Sequence, residues 1–128
     1  MHIGIFLTSN QVKSNCFIKK LSKSFNNEKL KFISILNNQD LLDKISDLDI
    51  LLAYKISNLI FKKNISKLKW IQLGNAGVDD SLVDSVIKSK IIITNSRGIN
   101  SGPVSEFVMA SILYFSKHFQ DCINFKNS

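Results

Sequence analysis

The chain has 128 residues, of which 45% are hydrophobic and 21% charged. That is the length of one domain able to bury a sizeable core, with a composition that excludes disordered and fibrous classes. The net charge of +7 comes almost wholly from lysine, Arg97 being the one arginine.

The lysines are scattered over predicted helix faces among frequent Asn and Ile. This pattern reads as a solvated basic surface, because base and phosphate readout recruits the fixed fork of arginine. Nucleic acid is therefore not an expected partner. Cys16 and Cys122 stand near opposite ends with no CxxC spacing and no His cluster, so no metal site is expected and the setting is read as reduced and cytoplasmic. The apolar N-terminal run turns polar at Thr8, too soon for a signal peptide. No apolar run reaches the about 18 residues of a membrane span, so no membrane association is expected.

In chain order, residues 3–7 form a short apolar run ending in Thr8-Ser9-Asn10 and predict a first strand. Over residues 11–25, Val12, Phe17, Ile18, Leu21 and Phe25 recur at helical spacing and predict an amphipathic helix with those residues inward. Residues 30–36 predict a second strand, 38–45 a short helix with Leu41, Leu42 and Ile45 inward, and 49–54 a third strand. A weaker helix is predicted over 58–67, a fourth strand over 69–73, a helix with Leu82, Val83, Val86 and Ile87 inward over 80–88, and a fifth strand over 91–94. Continuous apolar strands separated by helices predict an α/β, doubly wound parallel five-stranded sheet covered on both faces.

A long helix is expected next, with Gly102 in its cap and Pro103 at its first position, where the missing N–H costs nothing. Val104, Phe107, Val108, Ile112, Phe115 and Phe119 form one face, while Met109, Leu113 and Tyr114 carry apolar surface elsewhere round it. Such a helix needs partners on more than one side. Residues 121–128 read as a short polar tail that cannot supply them.

The segment Gly74-Asn75-Ala76-Gly77 follows the carboxyl end of the fourth strand, where open α/β sheets hold ligands. Two glycines would let successive N–H groups converge on a carboxylate or phosphate. A tight strand-to-helix turn is the plainer reading. Asp79 and Asp80 suit the start of the next helix as cap and dipole partners. Because they repel an anion, binding donors are expected upstream, at Ala76 and Gly77.

The first βα turn, Leu7-Thr8-Ser9-Asn10, has no glycine and so lacks the dinucleotide fingerprint. Asp49 starts the third strand, the wrong end for a receiver-type phosphoacceptor. His2 and His118 have no Ser, Cys or carboxylate at a suggestive spacing. Glu106 fits the first turn of the last helix as a dipole partner, and Trp70 and Tyr54 read as core or rim aromatics.

The motifs Trp70-Ile-Gln-Leu-Gly-Asn-Ala-Gly-Val-Asp79, Ile93-Thr-Asn-Ser-Arg-Gly-Ile-Asn100 and Pro103-Val-Ser-Glu-Phe-Val-Met-Ala-Ser-Ile-Leu113 resemble, in order and spacing, the D-isomer-specific 2-hydroxyacid dehydrogenases. The resemblance is specific over residues 69–119 and topological before them. It implies a flavodoxin-like substrate-binding domain over residues 1–101, and an interdomain helix over 102–120 leading to a separate NAD(P)-binding Rossmann domain. It implies that the N–H groups of Ala76 and Gly77 take the substrate carboxylate, that Asn75 and Val78 shape the loop, that Ile99 lies on the active-site rim, and that Val104 packs toward the nicotinamide. Ser105-Glu106-Phe107 stands where the family usually has Ala-Glu-His.

The family's Gly-rich cofactor loop and catalytic Arg, Glu and His have no counterpart in the chain. On this resemblance it is expected to be a truncated, inactive part of an enzyme that moves a hydride between NAD or NADP and a small 2-hydroxy or 2-oxo acid, a homodimer at full length. Two alternatives stand beside it. One is a basic α/β module for nucleic acid or a phosphorylated ligand, with salt-sensitive binding. The other is an oligomerisation module using Phe107, Ile112 and Phe115.

Overall fold

The five apolar segments become five parallel strands: β1 (His2–Phe6), β2 (Lys31–Ser34), β3 (Ile50–Ala53), β4 (Trp70–Leu73) and β5 (Ile92–Thr94). They are seen in a computed structural model that describes residues 1–25, 28–79, 81–82 and 84–126. The order is β2-β1-β3-β4-β5, with every neighbouring pair parallel. This is the expected α/β, flavodoxin-like sheet. The chain divides into two compact units, Met1–Ser96 and Arg97–Ser128.

In the first unit the strand register sets the layers. Gly4, Leu51 and Ile71 share one face with Phe6, Ala53, Leu73 and Ile93. On this face lies the main core, completed by Ile35, Leu41, Ile45, Leu48, Ile56, Ile60, Leu68 and Val86. Gly4 is required there by close approach: a Cβ would stand 2.6 Å from Leu48 Cδ1 and 2.8 Å from Ile35 Cδ1. Helix α2 (Asn38–Lys44) runs into a 3-10 turn, Ile45–Asp47, and brings in Leu41, Leu42 and Ile45 as expected. Its start is closed from both sides, Asn37 accepting from Asp40 N and Asp40 Oδ2 accepting from Leu36 N.

Helix α1 (Gln11–Phe25) lies on the opposite face, capped by Asn10, whose Oδ1 accepts from Lys13 N. Its inward line differs from the expected one. Ser14, Ile18 and Leu21 are buried or half-buried, while Val12, Phe17 and Phe25 are exposed. The small Ser14 lets the helix come close to β2, where its Oγ lies 2.6 Å from Ser34 Oγ. Coverage of this face thins toward β5: Trp70 is 38% exposed and Ile92 64%. Both faces carry helices, as expected, and on this one α1 packs on β1 and β2.

Two predicted helices shrink. The segment expected over 58–67 is a 3-10 turn, Asn58–Lys62, capped by Ser57 and ended by extended Lys63. Asn64 Oδ1 then accepts from Ser66 N, a local bond that competes with helix continuation. The helix expected over 80–88 is α3 (Asp84–Ile87), with Val86 buried but Leu82 and Ile87 exposed. Asp80 and Val83 lie outside the described residues. The chain before α3 is used up in a turn, because Ser81 N and Leu82 N both donate to Val78 O.

The second unit holds α4 (Ser101–Ser116) and α5 (Phe119–Lys126). The cap of α4 is Asn100, so Gly102 and Pro103 occupy its second and third positions. Pro103 still forfeits no bond, since the first four N–H groups of a helix have no internal acceptor. No residue of α4 is buried. The single helix expected over 102–120 breaks at His118, which adopts φ 52°. Lys117 N donates to Leu113 O and His118 N to Phe115 O, closing α4, and His118 O then accepts from Asp121 N and Cys122 N to open α5. Residues 121–126, expected as a polar tail, are thus helical, while Asn127 and Ser128 lie outside the described residues.

Candidate functional site

Gly74 N donates to Ala53 O at 2.9 Å, which carries the β3–β4 ladder one step past β4 before the chain turns away. The loop is then held by its carbonyls. Asn75 O accepts from Ser96 N at 3.0 Å, Ala76 O from Asn95 Nδ2 at 2.8 Å, Leu73 O from Ser96 Oγ at 3.0 Å, and Val78 O from Ser81 N at 2.8 Å. The Asn75 side chain donates to Tyr54 O at 3.0 Å. With the carbonyls tied back, the N–H groups of Ala76 and Gly77 donate to no acceptor among the described residues. Both residues are exposed.

The glycines act differently from expectation. Neither has a positive φ. Gly74 is needed because the Tyr54 ring lies against it: a Cβ would meet Tyr54 Cδ1 and Cε1 at 2.8 Å. Around Gly77 a Cβ would meet nothing within 4 Å, so the missing side chain leaves its N–H open to approach.

A cavity of about 330 Å³ adjoins the loop, lined by Tyr54, Lys55, Asn75, Gly77, Asp79 and Ser81. Lys55 adds a positive charge and Asp79 a negative one. Asp79 is not a helix cap, since α3 begins at Asp84. Asn75, Ala76, Gly77 and Val78 thus share one loop in the first unit. Ile99, 69% exposed, and Val104, 58% exposed, belong to the second unit, Ile99 ahead of α4 and Val104 within it. Tyr54, Asn95 and Ser96 were not singled out as site residues, yet they set the loop. The available signal was the Asn95-Ser96 pair directly after β5, a pair of side chains able to hold a neighbouring turn.

At the amino end of β3, Asp49 Oδ2 accepts from His2 N at 2.7 Å, which holds its carboxyl below the ordinary value of 3.8. Partial burial opposes the shift, and the Lys67 ammonium at 3.9 Å adds to it. His118 does have a carboxylate partner, with Nδ1 3.3 Å from Asp121 Oδ2, in an exposed pair that joins no nucleophile. Among the described residues no cluster of His, Cys, Asp or Glu could hold a metal ion. None of their helices is long and apolar enough to cross a membrane.

The chain superposes on three solved dehydrogenase structures. A D-isomer-specific 2-hydroxyacid dehydrogenase family protein from Aeromonas salmonicida subsp. salmonicida A449 matches 98% of the chain at a TM-score of 0.67 and 23% identity. The chain has their fold. A D-lactate dehydrogenase from Treponema pallidum matches 99% at 0.67 and 16% identity, and a D-2-hydroxyisocaproate dehydrogenase 89% at 0.65 and 17% identity. The chain spans 39%, 39% and 35% of these three structures respectively. No family model matches it, and no curated protein does. At such identities the likeness is one of fold, and it extends the topological resemblance across nearly the whole sequence.

Proposed function

We propose that the chain is the substrate-binding part of an NAD(P)-dependent D-2-hydroxyacid dehydrogenase, a cytoplasmic homodimer when whole. One observation carries this reading: Ala76 and Gly77 present unused N–H groups at the carboxyl end of β4, on a loop held through the carbonyls of Asn75, Ala76 and Val78. Adjacent backbone donors left unused in this way favour a carboxylate. Its contribution is orientation, fixing C2 of a 2-hydroxy or 2-oxo acid for hydride transfer. Ile99 and Val104 are assigned to the active-site rim and the nicotinamide side, and the exposed apolar surface of α4 to an interdomain and dimer seam.

The residues present do not fit a dinucleotide. The first βα turn offers Thr8, Ser9 and Asn10 in place of glycines, and Asn10 is spent as the cap of α1. The main cofactor site and proton transfer are therefore assigned to other parts of the enzyme, Val104 only packing toward the nicotinamide, and this chain alone to substrate binding without turnover.

Titrating the isotopically labelled chain with pyruvate tests the loop. The Ala76 and Gly77 amides are expected to shift saturably, and Gly77→Pro, which deletes a donor in open space, to weaken binding by about tenfold. Unmoved amides would remove the substrate reading. In-frame translation of the coding DNA beyond Ser128 tests the rest, where a Gly-x-Gly-x-x-Gly turn is expected within about 30 residues. A stop codon directly after Ser128 would contradict it.

A further inference from the structure

A cavity of about 480 Å³ opens at the amino ends of β4 and β5, between the turn that leads into β4 and the one that follows α3. Its volume is that of a small-molecule site. Ile65, Leu68, Ile91 and Ile92 form its wall. Leu68 is buried, whereas Ile92 is 64% exposed and leaves apolar surface open at the rim. Open α/β sheets hold their ligands at the carboxyl ends of the strands, so this cavity lies apart from that crevice and from the Ala76–Gly77 loop at the other end of β4.

Charge distinguishes it. Lys69 and Lys90 both line the cavity, and no Asp or Glu does. The pairing of Trp70 with Ile92 sets Lys69 beside Ile91, so the two lysines lead into neighbouring strands one residue out of step. Neither ammonium has an ion pair or hydrogen bond among the described residues. Asp49, whose carbonyl accepts from Lys69 N, spends its carboxylate on His2 N and Lys67. Two like charges on adjacent strands repel, and nothing in the lining offsets them. The hydroxyls leave the choice of ligand to that charge. Ser89 Oγ donates to Val86 O and accepts from Ile91 N, so it is spent, and Ser66 Oγ can give or take a proton.

We propose that this cavity binds a phosphate monoester on a small apolar body, the phosphate lying between Lys69 and Lys90 and the body against Ile65, Leu68, Ile91 and Ile92. A phosphate monoester carries close to two negative charges at pH 7, which matches two ammonium groups better than a carboxylate does. The proposal does not depend on the dehydrogenase reading.

The test is amide-shift titration of the 128-residue chain with phenyl phosphate, phenylacetate, neutral benzyl alcohol and inorganic phosphate. Phenyl phosphate is expected to shift Ser66, Lys69, Lys90 and Ile91 saturably, and to bind about threefold more tightly than phenylacetate and about tenfold more tightly than benzyl alcohol. Inorganic phosphate, which lacks the apolar body, is expected to bind about tenfold more weakly than phenyl phosphate. Lys69→Gln and Lys90→Gln change exposed side chains and are expected to weaken phenyl phosphate about threefold each and about tenfold together, with benzyl alcohol unaffected. Lys88→Gln, an exposed lysine outside the lining, is expected to change nothing. Equal affinity for the alcohol or for inorganic phosphate, an effect of Lys88→Gln as large as the other two, or indifference to the paired substitution would each overturn the proposal. Shifts confined to residues 75–78 would also overturn it while leaving the reading of that loop intact.

Discussion

Asp49 shows how one carboxylate can carry pH dependence without taking part in function. Its lowered pKa comes first from the His2 N–H bond and then, against the cost of burial, from Lys67. A depressed carboxyl stabilises the fold fully above its unfolded value, near 3.8, and loses that contribution as pH falls through its folded value. Asp49→Asn is therefore expected to lower the urea midpoint at pH 7 and to have a diminishing effect as the pH drops below 4. Parallel urea titrations across that range check it; a constant difference at every pH would exclude the linkage. In the sequence Asp49 was legible only as the wrong residue for a receiver site, because its partners His2 and Lys67 are distant in the chain and meet it only at the amino ends of the strands.

Among the elements, strands were more legible than helix faces. Each strand is a short apolar run, and burial on a parallel sheet makes that run nearly continuous. Helix α1 misled because hydrophobic spacing reports possible faces, whereas approach to β2 selected the one with Ser14 at its centre. The same close approach explains Gly4, where β1 passes under Leu48 and Ile35. Gly4→Val is expected to cost about 1–3 kcal/mol by overpacking, measurable as a lower thermal midpoint, whereas a side chain in the open space around Gly77 should leave the midpoint unchanged. The site loop was half legible. Its place after β4 and its candidate donors follow from sequence, but the ties from Asn95, Ser96 and Tyr54 that aim it come from neighbouring strands.

At the scale of the molecule, every fully buried apolar residue among those described lies in Met1–Ser96. A chain ending at Ser96 is therefore expected to unfold cooperatively, with a denaturant midpoint close to that of the full sequence. A broad, non-cooperative transition would show that the second unit is needed for the core. That unit carries the opposite character: α4 exposes Val104, Phe107, Val108, Met109, Ile112, Leu113 and Phe115. The apolar residues that the sequence places round more than one side of this helix are thus exposed in the second unit.

The sequence by itself determined the fold class, the strand order's raw material and the place of the candidate loop, because burial imposes a local pattern of apolar runs, turn residues and caps. It could not show which face of α1 packs, why Gly74 must lack a side chain, or that Thr8, Ser57 and Asn58 line one cavity. Those features depend on contacts between segments separated by 20 residues or more, such as Ser14 with Ser34 and Ser85 with Asn58. Only the tertiary structure brings such partners within hydrogen-bonding distance, and no local periodicity encodes them.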